Sequence, residues 1–378
     1  MVVFLALSLL CFAVFLYPFL IYPFLLARLP KQPLCTPREN AVTSFTLVFC
    51  AYNEENALPE KLGNIRELKA RYPGLEVLGY SDVSEDRTLE MLQAAEAEGL
   101  LTAVPATERL GKAWGMRQLV ARATGDVVIF TDANVTLDLD AIDHLSIYFS
   151  DPQIGTVAGH LHYLNQSDSA TADVGNRYWT LEERIKALES QTGSTMGADG
   201  AIFARRRADY PEVPPHLLDD LTASISPLFD GYRVISAPDV VAYERLTTDS
   251  RDEYRRKRRI ACRAFNTHRY LAPRLREMSG MDRFKYTSHK LLRWFSPMFL
   301  AMSGGCAILG LFDVMGIAGL VPLLTGSLVA YVLWKRGDAR AQKAGEIILA
   351  LLATAHGIFE SLQGKAYQTW APAQSRNI

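Results

Sequence analysis

The chain has 378 residues, 49 % of them apolar, and a formal net charge of −1, which is long enough for two ordinary domains. The near-neutral balance excludes a strongly basic polyanion binder, so no nucleic-acid partner is expected. Five scattered cysteines with no CxxC pair speak against a disulfide framework or a zinc site and fit a reducing compartment.

Val2 to Ala27 is an uncharged run of 26 residues, long enough to cross a bilayer with some tilt. It has no basic region before it, and Arg28, Lys31 and Arg38 follow it. The positive-inside rule therefore predicts a retained anchor whose C-terminal side is cytoplasmic.

Phe45 to Cys50 reads as an apolar strand running into Ala51-Tyr52-Asn53-Glu54-Glu55-Asn56, with a helix predicted over about 57–70. A second strand over 75–80 closes in Ser81-Asp82-Val83-Ser84-Glu85-Asp86, and a helix follows over about 88–98. A short strand at 101–104 leads to Gly111-Lys112 and a helix to about 123. Val127-Val128-Ile129-Phe130, β-branched at three of its four positions, reads as a buried strand of a parallel sheet. It ends in Thr131-Asp132-Ala133-Asn134.

Taken singly, these polar groups have ordinary structural roles. Asn53 and Glu54 suit a helix start, Asp82 and Asp86 suit a turn and cap, and Asp132 and Asn134 suit the turn after a strand. A scaffold does not require acids at three successive strand ends. Ligands of open α/β sheets bind at the carboxyl ends of the strands, and oxygen donors there suit a hard cation and a diphosphate.

After Asn134 come a helix over about 139–149, a strand over 156–160, a polar link from Asn165 to Asp173 and a long helix to about Glu189. The small-residue loop Gly193 to Gly200 precedes the strand-like Ala201-Ile202-Phe203 and permits close approach of a ligand to the backbone, or simply a turn. Asp219 and Asp220 fall at a helix start, where one carboxylate can cap and the other can act as a base. The basic segment Arg251 to Arg269 suits an anionic membrane surface, while some of its guanidinium groups can pair with a diphosphate. Trp294–Phe312, Gly316–Trp334 and a weaker run over 347–362 have the length of spanning helices. The link 335–343 carries four basic residues, which puts it on the cytoplasmic side with the middle domain.

With these residues collected, the chain resembles the membrane-anchored family 2 glycosyltransferases, the group that includes hyaluronan, cellulose and poly-N-acetylglucosamine synthases. The resemblance implies an α/β GT-A nucleotide-sugar-binding domain with a mostly parallel sheet, flanked by transmembrane helices. It divides the chain into an anchor (1–27), a cytoplasmic GT-A domain (40–250), basic interfacial helices (251–290), about three C-terminal spans (291–365) and a tail (366–378). Ala51, Tyr52, Asn53, Glu54 and Asp82 would hold the nucleoside, with Lys112 also on the donor. Asp132 and Asn134 would hold Mg²⁺ or Mn²⁺. Asp220, beside Asp219, would be the catalytic base, Asp199 and Gly200 belong to the acceptor-side loop, and Arg256 and Arg259 stand in the Gln-x-x-Arg-Trp element. Asn134 replaces the second Asp of the family's metal step, Asp219 replaces a Glu, and Arg117 replaces an Asn. Arg256 stands for the Gln and Ile260 for the Trp, whose loss removes a surface for the acceptor sugar and counts against processive polymerisation.

The activity implied is inverting transfer from a nucleotide-sugar donor, a UDP-sugar, to a saccharide or lipid-linked acceptor at the membrane. The setting implied is a multi-pass protein of the cell inner membrane, with polysaccharide-export proteins as further partners. Two alternatives stand beside it: a polyprenyl-phosphate sugar transferase, and a non-catalytic nucleotide-binding scaffold of a polysaccharide assembly complex.

Overall fold

The computed structural model describes residues 2–38, 42, 44–164, 170–245 and 249–370. Most of the predicted polar link from Asn165 and the last eight residues of the tail lie outside the described residues. The chain opens with helix α1 (Val2–Leu16) and, after a π turn carrying Pro18, α2 (Tyr22–Leu26). Proline lacks the N–H of the regular helical ladder, which accounts for the irregular turn there.

Strands and helices then alternate: β1 (Phe45–Ala51), α3 (Leu58–Arg71), β2 (Glu76–Ser81), α4 (Thr88–Ala97), β3 (Thr102–Pro105), α5 (Lys112–Arg122) and β4 (Val127–Asp132). They are followed by β5 (Thr136–Leu137), α6 (Ala141–Phe149), β6 (Ile154–Tyr163), α7 (Ala170–Gln191), β7 (Ile202–Arg206), α8 (Asp219–Ile225) and β8 (Arg233–Glu244). The remainder is helical: α9 (Ser250–Leu271), α10 (Gly280–Tyr286), α11 (Leu292–Met315), α12 (Leu320–Lys335) and α13 (Ala339–Leu362).

One eight-stranded sheet has the order β3-β2-β1-β4-β7-β6-β8-β5. The β3-β2-β1-β4 half is parallel, as the apolar runs predict. The other half is mixed, since β7 is antiparallel to both β4 and β6 while β6 and β8 are parallel. The parallel register sets Ala51 beside Ser81 and Cys50 beside Asp132, so the loops after β1, β2 and β4 open on one edge. The antiparallel pairing of Thr131 with Ile202 brings the Gly197–Ala201 loop to that same edge.

Core packing fixes these registers. Phe130 of β4 stacks on Phe203 of β7 with ring centroids 4.5 Å apart, and Tyr210 lies 5.6 Å from Phe130 on a nearly parallel plane. Each such contact is worth about 0.5–1.5 kcal/mol beyond its buried area. On α3, Leu58, Leu62, Ile65 and Leu68 form the buried stripe, and Lys61 lies in it, only 1 % exposed. Its ammonium donates to the Val135 carbonyl at 2.7 Å and to Thr131 Oγ1 at 3.3 Å, pinning the turn that carries Asp132 and Asn134. Burial pushes the Lys61 ammonium down to about 7, against a smaller opposing effect of Asp132.

Among the described residues three helical runs are long and apolar enough to cross a membrane: Val2–Leu26, Gly280–Lys335 and Ala339–Leu362. The long middle run is bent at Gly316, which has a φ of +58° and ends α11 before α12 begins. The predicted runs at 294–312 and 316–334 are thus α11 and α12. The Ser8 and Ser303 side chains bond across α1 and α11. Below the sheet, Glu189 of α7 accepts from Tyr22 at 2.6 Å and faces His289 at 2.9 Å, tying α2 and the segment after α10 to the strand-bearing part.

Candidate active site

The first wall is made by the loops after β1 and β2, which are laced together. Asn53 Oδ1 accepts the Glu85 N–H at 2.8 Å, Asp86 Oδ2 accepts the Glu55 N–H at 3.1 Å, and Glu55 Oε2 accepts the Arg87 N–H at 3.1 Å. The N–H of the buried Glu54 donates to Thr88 Oγ1 at 2.8 Å. Two non-glycine residues have left-handed backbones here, Asn53 at φ +52° and Val83 at φ +57°. A β-branched residue at positive φ is costly, and such strain is concentrated at functional sites.

Asp82 is fully buried and accepts the backbone N–H groups of Leu110 and Gly111 at 3.1 to 3.2 Å. Burial raises its carboxyl above the usual carboxylate range, and those two N–H groups oppose the rise. Its carboxylate therefore positions the start of α5, and with it Lys112. Tyr52 lies on the same wall, with Arg109 over its ring.

Lys112 is the hub of the second wall. Its Nζ lies 2.5 Å from Asp132 Oδ1 and 3.8 Å from Asp219 Oδ2. A Cβ on Gly200 would lie 2.8 Å from that ammonium and 3.3 Å from Asp220 Oδ2. The Lys112 ammonium and the Asp220 carboxylate thus both lie against the same face of Gly200, where a larger side chain would press on the lysine terminus. Burial disfavours the Lys112 charge, but Asp132, Asp219 and Asp220 outweigh it and hold the lysine firmly protonated. Asp220 is raised to about 6, first by burial and then by Asp219, with Lys112 opposing. Leu218, rather than either aspartate, is the N-cap of α8, and Asp220 Oδ1 accepts the Leu221 N–H at 2.6 Å.

Asn134 is held by its amide nitrogen. Its Nδ2 donates to Glu244 Oε1 at 3.1 Å, at the end of β8. Arg256 lies near Glu244 and Glu253, and those carboxylates raise its guanidinium further against the effect of burial. Arg259 is partly buried on the same helix. Asp199 pairs with the buried Lys186 at 3.1 Å and accepts the Ala201 N–H at 3.2 Å, which fixes the loop carrying Gly200.

Among the described residues no group of three or more His, Cys, Asp or Glu side chains is arranged to hold a metal ion. The Asp-x-Asn step still offers hard oxygen donors, a carboxylate at Asp132 and the amide oxygen of Asn134. Mg²⁺ is commonly held by one or two carboxylates together with substrate phosphates, so this donor set fits a cation shared with a diphosphate.

Several site residues escaped sequence reasoning. Arg263 of α9 is buried, donates to the Leu217 carbonyl and lies 3.6 Å from Asp219 Oδ1. Glu244 ends a strand that was not predicted, although the alternation Val240, Ala242, Glu244 announces a buried acid. Lys61 is legible as a cation inside an apolar helical stripe.

The chain is similar to known proteins. The profile of glycosyl transferase family 2 matches residues 46–213. A poly-beta-1,6-N-acetyl-D-glucosamine synthase of Staphylococcus aureus is 25 % identical over 198 residues, which is 51 % of this chain and 48 % of that protein. An N-acetylglucosaminyltransferase of Rhizobium sp. (strain N33) is 27 % identical over 209 residues, covering 52 % of this chain and 46 % of its own. The chain thus spans about half the length of the curated relatives it matches. A mannosyltransferase of Pyrobaculum calidifontis, solved in complex with GDP-Man and Mn²⁺, shares the fold over 96 % of this chain and 99 % of its own, with a TM-score of 0.73 at 22 % identity. The matched stretch holds strands β2 to β7, the laced loops after β1 and β2, and Lys112, and residues 46–213 are a glycosyl transferase family 2 domain.

Proposed function

We propose that the protein is an inverting glycosyltransferase that moves a sugar from a UDP-sugar to a saccharide or lipid-linked acceptor at a membrane, in polysaccharide or glycan synthesis. The observation that carries this reading is the convergence of Lys112 and Asp220 beside Gly200. One group suits a developing negative charge, and the other suits a proton. Tyr52, Asn53, Glu54 and Asp82 form the nucleoside side, and Asp199 and Gly200 the acceptor side. Residues 40–250 are the catalytic unit and 251–290 the interfacial helices. In this reading the spans are 1–27 and 291–365, the unit faces the cytoplasm from a multi-pass inner-membrane protein, and export proteins are its neighbours.

In the reaction, Asp220 takes the proton of an acceptor hydroxyl as its oxygen attacks the anomeric carbon. The bond from that carbon to the diphosphate breaks on the opposite face, and Lys112 and Arg259 receive the departing charge. A carboxyl raised to about 6 is a better proton acceptor than an ordinary aspartate and remains ionised at neutral pH. Mg²⁺ or Mn²⁺, held by Asp132, Asn134 and the donor phosphates, would supply electrostatic stabilisation of the leaving diphosphate.

The test is turnover of a panel of UDP- and GDP-sugars by membranes carrying the protein, with Mg²⁺ or Mn²⁺, diphosphate release measured and products sized. Release from a UDP-sugar with a glycan or lipid-extractable product, lost in Asp220→Asn, is the expected result. Saturable nucleotide binding without release would make the protein a scaffold instead.

A further inference from the structure

After α13, residues 365–370 stay against the domain. The Lys365 carbonyl accepts from Asn266 Nδ2 at 2.9 Å and from Cys262 Sγ at 3.4 Å, both on α9. Tyr367 donates to Glu360 Oε2 at 2.8 Å and accepts from Arg258 Nη2 at 2.9 Å. From this anchor residues 365–370 run back to the nucleotide loops. A Cβ on Gly111 would lie 2.1 Å from the Gln368 carbonyl oxygen, so the strap backbone rests directly on the glycine that precedes Lys112. Trp370 meets the Tyr52 ring edge-on at 6.1 Å, and its carbonyl accepts Arg109 Nη2 at 2.5 Å. The guanidinium thus held lies 3.5 Å from the centre of the Tyr52 ring. Between these two neighbours Tyr52 keeps only 6 % of its surface exposed.

We propose that the C-terminal strap 365–370 is an autoinhibitory latch that occupies the nucleobase platform in cis, with Arg109 as its bolt. This rests on the reading of the Tyr52 loop as the donor site. A base can stack on Tyr52 only after Arg109 swings off the ring or Trp370 withdraws from its edge. The exchange is balanced enough to be reversible, because cation–π stacking of a guanidinium and stacking of a base on an aromatic ring are of the same order. The strap is continuous with α13, so a shift of that apolar helix against α9 reaches the donor pocket directly.

Two measurements on the full chain in detergent or nanodiscs test the latch. Amide hydrogen exchange over 365–370 is followed with and without UDP, and UDP affinity is titrated for the unaltered chain and for Trp370→Ala. The latch predicts faster exchange when UDP binds, and a Kd about three- to tenfold lower in Trp370→Ala, since a ligand's apparent affinity is reduced by the fraction of molecules not competent to bind it. Slower exchange on UDP binding would make the strap a wall of the binding site, and an unchanged or weaker affinity in the variant would also overturn the latch. If Trp370→Ala fails to fold, the exchange result on the unaltered chain decides. If neither UDP nor GDP binds to either protein, the donor reading fails and the latch falls with it.

Discussion

The ammonium of Lys112 lies 2.5 Å from Asp132 Oδ1 and so joins the end of β4 to the acidic pair at the start of α8, because the same atom is 3.8 Å from Asp219. One fixed positive charge thus serves both halves of the site. At about 4 Å a pair of unit charges interacts by roughly 4 kcal/mol at an effective dielectric of 20. Lys112→Met is expected to lower kcat by about 10² to 10³, the cost of losing one preorganised group on a developing anion. Steady-state kinetics with the preferred donor checks this, and a change confined to KM would show that the lysine serves binding alone.

Asp220 sets a pH dependence. Its folded value of about 6 lies above the ordinary 3.8, so between these values the folded protein holds the proton more tightly than the unfolded chain. This contribution to stability is present below about pH 4 and is lost as pH rises through 6. Activity runs the other way and rises through about pH 6 as the base ionises. Asp219→Asn removes a negative neighbour and is expected to move that limb to lower pH, while Lys112→Met moves it higher. Asp220→Asn should lose about 10²- to 10⁴-fold in kcat while still binding nucleotide. A pH–rate profile for each variant is the measurement.

Asn134 gives a test of the cation step. Its amide donates to Glu244, so Asn134→Asp places two carboxylates side by side. The expected outcome is a lower melting temperature without metal and a larger Mn²⁺-induced rise than in the unaltered chain, because the ion relieves the repulsion. Thermal unfolding against Mn²⁺ concentration checks it. An unchanged metal response would mean that the side chain at 134 faces away from the ion.

The Arg263–Asp219 pair is almost wholly buried, with side chains 4 % and 7 % exposed. Removing Arg263 leaves Asp219 with Lys112, 3.8 Å away, as its remaining cation, so Arg263→Met is expected to cost less than the roughly 3–5 kcal/mol of a fully broken buried pair. The double variant Arg263→Met with Asp219→Asn should recover much of that loss. Denaturant unfolding of the two proteins measures the difference, and equal losses in both would assign the effect to the Arg263 bond to the Leu217 carbonyl instead.

Much of the parallel half of the sheet was legible because its signals are local. Short apolar runs at β1, β2 and β4, each followed by polar turn residues and an amphipathic segment, require crossovers, and crossovers line up the strand ends. The mixed half was not legible. β8 contains an exposed Pro238 and pairs with β6 across register shifts, so its pattern lacks the clean period of a strand.

The amino-acid sequence alone determined which chemistry is present: carboxylates at Asp82, Asp132 and Asp220, Lys112 after Gly111, and four apolar runs at the chain ends. Tertiary structure alone decided how those groups are used. It gave Asp82 to the backbone of Leu110 and Gly111, Asn134 to Glu244 and Asp219 to Arg263, and it laid Trp370 against Tyr52. The reason is physical. Hydrophobic period and turn chemistry report neighbours a few residues away, whereas these pairings join distant segments through burial, which only the packed chain creates.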